Sequence, residues 1–317
     1  MGYAAGVKEG KKSSIARLIT LIENRAQEAE QELAELYGSL GGAHVVGITG
    51  APGSGKSSLV SRLAADYRKQ GKRVGIILID PTSPYTGGAI LGDRVRMMDL
   101  AMDEGVFIRS MASRGHLGGI ASATYDAVKV LDAAGYGIIF VETVGVGQSE
   151  VDIADIADTT VVLLTPGYGD GMQAMKAGIM EIADIFVVNK ADLDGADRVA
   201  GEIEQMLGFA EQERKPAICK TSATTGSGII GLREDIDAHL DYLVEEGLLE
   251  GRRKRRIGHE LLSLLTGGMQ ALLLEEITPD IIDRIHAGTL DPYSFAREVL
   301  EKHRRGDSYK NIPLNNI

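Results

Sequence analysis

The chain has 317 residues, with 34 lysines and arginines against 45 aspartates and glutamates, which gives a formal net charge of -11 at pH 7. Hydrophobic residues make up 44% of the chain and charged residues 25%, a composition typical of a folded globular protein that excludes global disorder. The negative charge argues against nonspecific binding to nucleic acid or to anionic lipid, because both depend on a basic surface.

The cellular setting follows from two further features. The single cysteine, Cys219, has no second cysteine with which to form an intramolecular disulfide, which favours a reducing compartment. We find no apolar run that approaches the roughly 18 to 20 residues of a membrane-spanning helix, and the first twelve residues lack the apolar core of a signal peptide. We therefore expect a cytoplasmic protein with neither a nucleic acid nor a membrane as its partner.

The predicted elements begin with an amphipathic helix over residues 13–37, where apolar side chains recur at three- and four-residue steps. From there to about residue 222, short apolar runs alternate with longer helical patterns. Seven runs indicate strands, at residues 44–49, 73–80, 106–111, 136–142, 159–165, 184–189 and 216–221. Because these runs are almost continuously apolar, they predict a doubly wound α/β fold with a mostly parallel sheet of about seven strands. Ligands of such folds bind at the carboxyl ends of the strands.

Beyond about residue 228 the strand signal stops. Several helices are predicted there, with Pro279 and Pro292 each near a helix start. We therefore expect three parts, an N-terminal helical segment at 1–42, an α/β domain at 43–228 and a C-terminal helical extension at 229–317.

A glycine-rich loop carries the strongest functional signal. The sequence GAPGSGKS at 50–57 follows the first predicted strand, opens a helical pattern and matches GxxxxGK[ST], the loop of P-loop NTPases that cradles nucleotide phosphates. Its glycines let backbone N–H groups face the phosphates, and the helix N-terminus adds positive potential. We expect Lys56 to reach the outer phosphates and Ser57 to ligate Mg²⁺. The predicted nucleotide-binding residues of this loop are Pro52, Gly53, Ser54, Gly55, Lys56, Ser57 and Ser58.

The sequence Asn189-Lys190-Ala191-Asp192, at the end of the sixth predicted strand, predicts that the base is guanine. The Asp192 carboxylate can accept hydrogen bonds from the ring N–H and the exocyclic amine of guanine, whereas adenine would face it with an acceptor. Discrimination of tenfold to well over a hundredfold is expected from this difference. At the end of the seventh strand, backbone N–H groups of Thr221-Ser222-Ala223 are expected to close over the guanine oxygen, with Ser222 and Ala223 as the predicted binding residues.

Carboxylates near strand ends predict the metal site. Asp80 ends the second predicted strand, Asp93 lies in the loop beyond it and Glu142 ends the fourth. Mg²⁺ prefers octahedral oxygen ligation and keeps several waters, so such carboxylates can hold it directly or through water. Together with Ser57 they are the predicted metal residues.

Five segments together resemble one family. GAPGSGKSS, IDPTSPYTGGAILGDRVRM, ETVGVGQSE, GDGMQAMKAGIMEIAD and NKAD are similar to the MeaB/ArgK-type GTPases, chaperones of adenosylcobalamin-dependent acyl-CoA mutases such as methylmalonyl-CoA mutase. The resemblance covers roughly residues 13–305. It implies binding of GTP and GDP with Mg²⁺, a homodimer whose contact is the helical tail, and GTP hydrolysis that gates delivery of intact cofactor to the mutase and protects the mutase from inactivation.

The resemblance also assigns the candidate catalytic residues. It puts Gln148 in a second switch and Lys176 in a third loop, beside Lys56 and Glu142. Many relatives resemble GDELQGIK in that third loop, where this chain has GDGMQAMK with Gly171 in place of an acidic residue. No side chain is marked as the catalytic cation, and the candidates are Arg94, Arg96, Arg109, Arg114 and Lys176. We therefore expect slow intrinsic hydrolysis that a partner accelerates by ordering the switches.

Other functions stay open. A phosphotransferase kinase would use the same loop and tolerate adenine. A nickel metallochaperone is disfavoured because the six histidines lack metal-ligand spacing. ATP-driven partitioning proteins carry an extra lysine near the start of the loop, where this chain has Ala51. The basic run at 252–256 is the one feature that favours nucleic acid or membrane, but its acidic flanks favour a solvated helix start or a contact with a partner chain.

Overall fold

The computed structural model describes residues 2–80, 97–112, 122–143, 149–167, 177–208 and 214–304. Seven strands lie within these ranges: β1 (His44–Gly50), β2 (Val74–Asp80), β3 (Val106–Ala112), β4 (Ile138–Thr143), β5 (Thr159–Leu164), β6 (Ile185–Val188) and β7 (Ala217–Lys220). They form one parallel sheet in the order β3-β2-β4-β1-β5-β6-β7. The predicted α/β class and the seven predicted strands are confirmed.

The helices of the same ranges flank the sheet and then form the C-terminal region. They are α1 (Tyr3–Lys8), α2 (Lys12–Glu23), α3 (Gln27–Leu36), α4 (Lys56–Lys69), α5 (Met98–Ala101), α6 (Ser122–Ala133), α7 (Ser149–Ile156), α8 (Ala177–Glu181), α9 (Ala196–Leu207), α10 (Ile229–Glu245), α11 (Leu248–Glu275), α12 (Pro279–His286) and α13 (Pro292–Arg304). The predicted helical extension is confirmed. Pro279 and Pro292 begin α12 and α13, where the missing N–H of proline breaks no helical hydrogen bond.

The N-terminal helices differ from the sequence expectation. The single helix predicted over residues 13–37 is wrong, because α2 ends at Glu23 and α3 begins at Gln27. Arg25 between them has a φ of 52°, in the left-handed region that ends a helix. The N–H of Ala26 donates to the Leu21 carbonyl at 3.0 Å, which closes α2. The turn folds α3 back against α1 and α2, so the apolar periodicity continues across a break in the helix.

The sheet is buried on both faces, which explains the unbroken apolar runs. Every residue of β1 and β4 is buried. Successive side chains point to opposite faces of a strand. Ile139 accordingly packs in a cluster with α2, α3 and α6, whereas Phe140 packs with Leu63 of α4 and Leu232 of α10. Because the strands are parallel, their carboxyl ends meet at one edge of this double-sided core.

The chain divides into two compact units, Met1–Arg256 and Ile257–Ile317. The first contains the sheet, α1 to α10 and the first turns of α11. The second contains the rest of α11 with α12 and α13. The predicted division into segments 1–42, 43–228 and 229–317 stays a prediction.

Within the described ranges, α11 is long and apolar enough to cross a membrane by length and composition alone. The expectation that no segment approaches this limit is wrong for this helix. In α11, the side chains of Leu261, Leu262 and Leu265 are more than half exposed. Contiguous exposed apolar side chains of this kind indicate contact with another molecule.

The start of α11 contradicts the expected solvation of the basic run. Arg252 forms a two-pronged ion pair with Asp184, with nitrogen–oxygen distances of 2.7 and 2.8 Å. Arg253 donates to the Ala43 carbonyl at 3.0 Å, and Arg256 donates to the Ile156 carbonyl at 2.8 Å. All three arginines form hydrogen bonds with residues of the first unit, near the amino-terminal edge of the sheet. The basic run therefore offers less free positive charge than its sequence suggests.

A buried polar chain runs through the same edge. The Nε2 atom of His239 lies 3.3 Å from Asp184, and its Nδ1 atom lies 2.8 Å from the Thr159 hydroxyl, which is also 2.7 Å from Nε2 of His44. The Thr159 hydroxyl has one proton, so it can donate to His239 while it accepts from His44. Nδ1 of His44 has no hydrogen-bond partner within the described ranges. Burial lowers the pKa of His44 to about 4, although Asp158 opposes the shift.

We expect acid to destabilise the protein through His44. Its pKa is about 4 in the folded state and 6.5 in the unfolded chain, so below pH 6.5 the unfolded state binds a proton that the native state excludes. The free energy of unfolding should therefore fall by about 2 kcal/mol between pH 7 and pH 5. Asp184 has a pKa of about 2 because hydrogen bonds from His239 and Arg252 outweigh its burial, so it adds a loss only below its unfolded value of 3.8.

Urea unfolding at pH 7 and pH 5 measures this dependence. His44→Gln keeps an amide that can donate to Thr159 but has no group that titrates in this range. The variant should lose less stability than the wild type between the two pH values. An equal loss in both proteins would show that His44 is not the source.

Candidate functional site

The loop at 50–57 joins β1 to α4 at the carboxyl edge of the sheet. Gly50 has a φ of 142° and Gly55 a φ of 92°, both in the region that favours glycine. A Cβ atom at Gly50 would lie 2.3 Å from the Leu163 carbonyl oxygen, and one at Gly55 would lie 2.5 Å from Nδ2 of Asn189. The two glycines of the motif are therefore required both by their backbone conformation and by their close neighbours.

Positive charge lies beside this loop. Lys56 is buried, and its Nζ atom donates to the carbonyls of Gly50 at 2.7 Å and Ala51 at 3.1 Å. The buried hydroxyl of Ser54 has no hydrogen-bond partner among the residues that the structure describes. An ammonium group at a helix N-terminus, beside a hydroxyl group still able to hydrogen-bond, is suited to a phosphate group.

The next residue, Ser57, meets the predicted metal carboxylate. Its hydroxyl donates to Oε1 of Glu142 at 2.6 Å, and both side chains are buried. β2 and β4 pair with Leu78 opposite Glu142, which puts the backbone of Asp80 at the same edge. Hydroxyl and carboxylate oxygens are the donors that Mg²⁺ prefers, so Ser57 and Glu142 fit this ion.

A complete ligand set is not contained in the described ranges. Within them, no group of three or more His, Cys, Asp and Glu side chains is positioned to hold a metal ion. The structure gives the backbone of Asp80, and Asp93, Gln148 and Lys176 lie outside the described residues. Their predicted roles stay predictions.

Asn189 joins the phosphate loop to the predicted base site. Its Nδ2 atom donates to the Ser54 carbonyl at 2.8 Å. Its Oδ1 atom accepts from the Thr221 hydroxyl at 3.1 Å and from the N–H of Ala223 at 3.3 Å. One fully buried amide therefore connects three segments that are far apart in the sequence.

The backbone beyond Asn189 turns the next side chains toward the surface. Lys190 has a φ of 58°, which residues other than glycine adopt rarely. The N–H of Ala191 donates to the Thr221 carbonyl at 2.9 Å and so holds the turn. The exposed carboxyl of Asp192 receives a hydrogen bond from the Ser222 hydroxyl, which, with its own backbone N–H and nearby Lys190, lowers its pKa. Asp192 is therefore ionised at neutral pH and available to a ligand.

Among the candidate cations, only Arg109 lies in the described ranges. Its guanidinium binds the carboxylate of Glu23 and the hydroxyl of Thr20, both on α2. The prediction that Arg109 is free to act on a phosphate is not supported by this arrangement. Arg94, Arg96 and Arg114 lie outside the described residues.

Two polar links at the site have no sequence signature. The Thr143 hydroxyl, at the end of β4, donates to the Thr49 hydroxyl at 3.0 Å, just before the phosphate loop. Arg62 on α4 donates to the carbonyls of Ala223 and Thr224. Both links depend on the fold, because Thr49 and Arg62 lie outside the motifs, and the motif that contains Thr143 does not identify its partner.

Comparisons with known proteins agree with this geometry. A family model described as methylmalonyl Co-A mutase-associated GTPase MeaB matches residues 15–276. A protein from Pyrococcus horikoshii is 48% identical over 303 residues, which cover 93% of this chain and 96% of that relative. The mitochondrial methylmalonic aciduria type A homolog of Caenorhabditis elegans is 32% identical over 309 residues, covering 89% of this chain and 77% of that protein. A crystal structure of an LAO/AO transport system kinase matches with a TM-score of 0.73 and 25% identity, covering 95% and 96% of the two chains.

Proposed function

This chain belongs to the MeaB family of methylmalonyl-CoA mutase-associated GTPases, and we propose that it binds and hydrolyses GTP with Mg²⁺ as the chaperone of an adenosylcobalamin-dependent acyl-CoA mutase. In this role GTP hydrolysis gates the delivery of intact adenosylcobalamin and protects the mutase. The protein acts in the cytoplasm as a homodimer.

The observation that carries this proposal is the connection through Asn189. A phosphate loop alone fits many nucleotides, but here the Asn189 amide binds the Ser54 carbonyl on one side and the N–H of Ala223 on the other. Asp192 is three residues further along the same loop. A guanine nucleotide bound with its phosphates at residues 50–57 would thus meet base-reading groups already connected to the phosphate loop.

Each residue of the site has a distinct task in this proposal. Lys56 contributes its ammonium to the outer phosphates, and Ser57 and Glu142 supply oxygens to Mg²⁺. When bound, the ion neutralises charge that develops on the phosphate oxygens. Gln148 and Lys176 complete the catalytic set, and Asp80 and Asp93 complete the metal shell. Residues 52–58, Asn189, Lys190, Asp192, Ser222 and Ala223 bind the nucleotide.

The proposed partner rests on the family and on one relative. The matching family model is named for its association with methylmalonyl-CoA mutase, and the relative from Caenorhabditis elegans is named for methylmalonic aciduria. The proposed homodimer is supported by the half-exposed leucines on α11, including Leu261 and Leu265. Burying such side chains against a second copy would remove apolar surface from water.

Turnover measurements test the proposal. GTP and ATP hydrolysis are measured with and without a methylmalonyl-CoA mutase loaded with adenosylcobalamin, and Lys56→Ala serves as a blank for contaminating hydrolases. We expect slow GTP hydrolysis by the chain alone, a clear increase with the mutase and no comparable ATP hydrolysis. A GTP rate that no adenosylcobalamin mutase changes would contradict the chaperone role.

Two other functions make different predictions in related assays. A phosphotransferase kinase using the same loop would bind ATP and GTP with equal affinity. A nickel metallochaperone would bind Ni²⁺ stoichiometrically at micromolar concentration. The exposed, ionised Asp192 carboxylate can accept from the ring N–H and the 2-amino group of guanine but would face an acceptor on adenine, which favours the GTPase over the kinase.

A further inference from the structure

We propose that Arg62 is a positioning residue for the purine, which it serves by fastening the loop at 222–226 to the phosphate-binding helix α4. The inference rests on the proposed binding of a guanine nucleotide and deepens it. Arg62 lies outside the GxxxxGKS motif, six residues after Lys56 on α4.

The guanidinium of Arg62 spans two consecutive carbonyls. Its Nε atom donates to the Ala223 carbonyl at 2.9 Å, and its Nη2 atom donates to the Thr224 carbonyl at 3.0 Å. A planar fork with two parallel donors fixes orientation as well as distance, which a single ammonium group does less well. The two contacts therefore restrain the peptide planes on the carboxyl side of Ala223 and Thr224.

The other hydrogen bonds of the loop at 222–226 lie mostly within the loop itself. It is closed internally by the N–H of Gly226, which donates to the Ser222 carbonyl at 2.8 Å, and by a bridge between Ser222 and Ser227. Thr224 and Thr225 at its tip are exposed. The N–H of Ala223 is held by Asn189 at 3.3 Å, near the upper limit for a hydrogen bond. Among the residues that the structure describes, Arg62 is the side chain whose hydrogen bonds connect the loop tip with α4, the helix whose first turn is proposed to hold the phosphates.

This placement predicts which part of the base depends on Arg62. The N–H of Ala223 is proposed to donate to the oxygen at position 6 of guanine, whereas Asp192 reads the ring N–H and the 2-amino group. Holding the Ala223 and Thr224 carbonyls fixes the peptide planes that follow Ala223 and so limits the backbone rotations that would redirect its N–H. Part of the ordering of the loop then precedes binding and does not oppose it. Loss of Arg62 should weaken recognition at position 6 and leave recognition of the 2-amino group intact.

Three nucleoside diphosphates distinguish the contact at position 6 from the contact with the 2-amino group. GDP carries both groups, IDP lacks the 2-amino group, and 6-thio-GDP replaces the oxygen with sulfur, a weaker acceptor. Dissociation constants are measured for the full-length wild type, Arg62→Ala, Arg62→Lys and Arg198→Ala. Arg198 is the matched control, because it is an exposed helical arginine whose partner Glu202 lies one turn away on α9.

We expect Arg62→Ala to raise the dissociation constants of GDP and IDP by roughly three- to tenfold and that of 6-thio-GDP by less. The preference for GDP over 6-thio-GDP should therefore fall, while the preference for GDP over IDP stays as in the wild type. Arg62→Lys should lie between the alanine variant and the wild type, and Arg198→Ala should match the wild type. Because Arg62 is exposed, thermal unfolding without nucleotide should be nearly the same for all four proteins.

Failure of the inference differs from failure of the proposed function. If the wild type does not bind GDP, guanine-nucleotide binding itself is wrong. If it binds GDP but Arg62→Ala keeps both preferences at wild-type values, Arg62 does not position the base. A fall in both preferences together with a lower unfolding temperature would show a general structural role and would also overturn the inference.

Discussion

Asp192→Asn is expected to exchange the base preference of the protein from guanine to xanthine. In the proposed site the aspartate carboxylate accepts from the ring N–H and from the 2-amino group of guanine, whereas an asparagine amide would face that amine with its own donor. In xanthine the amine is replaced by an oxygen, which accepts from the new amide. We expect the affinity for GDP to fall by about a hundredfold and the affinity for XDP to rise by a similar factor.

The fold should tolerate this change. Asp192 is exposed, and asparagine can still accept the hydrogen bond from the Ser222 hydroxyl. Asp194→Asn, an exposed position in the same loop, is the matched control and should retain the guanine preference. Competition titrations with GDP and XDP measure the outcome. An Asp192→Asn variant with the wild-type ratio of the two affinities would show that this carboxylate does not read the base.

Lys56→Ala is expected to slow GTP hydrolysis by about a hundred- to thousandfold and to weaken GTP binding strongly. The ammonium is buried beside the loop, where it donates to the carbonyls of Gly50 and Ala51. Removing a preorganised charged donor from a site that stabilises phosphate oxygens costs about a hundred- to thousandfold in rate. Single-turnover hydrolysis and equilibrium binding of GTP measure the two effects separately.

Lys69→Ala is the control for this variant. Lys69 lies in the last turn of the same helix and is exposed, so its loss should leave both measurements unchanged. Lys56→Arg should not restore activity, because the wider guanidinium does not fit where a point charge is buried. Hydrolysis by Lys56→Ala within a few-fold of the wild type would contradict the assigned role of the loop.

The strands were predictable because burial on both faces leaves a simple pattern. Every residue of β1 is buried, and the apolar run in the sequence matches the strand to within one residue. The run that precedes β4 shows the limit of this pattern. Tyr136 is buried like a strand residue, but its N–H donates to the Leu131 carbonyl at 3.1 Å and so closes α6. An apolar run of this kind indicates burial but does not show whether each of its residues belongs to the strand or to the end of the preceding helix.

The side-chain contacts that hold both edges of the sheet together join residues far apart in the chain. The guanidinium of Arg252 binds the carboxylate of Asp184, 68 residues away in the sequence, and Arg62 donates to the carbonyl of Ala223, 161 residues away. The residues that flank Arg252 in the sequence indicate only a charged helix start. They do not identify which carboxylate Arg252 binds. The break at Arg25 is similar, because the apolar spacing continues on both sides of the turn. The motifs predicted which residues would bind the phosphates and the base, whereas the hydrogen bonds that link those residues were visible only in the fold.

A crystal structure of the protein with Mg²⁺ and a non-hydrolysable GTP analogue tests the central claim most directly. The account predicts phosphates at residues 50–57 with Lys56 on the outer phosphate oxygens, Ser57 on the ion, and the Asp192 carboxylate on the ring N–H and 2-amino group of guanine. Phosphates outside this loop, or a base that lies away from Asp192, would contradict it.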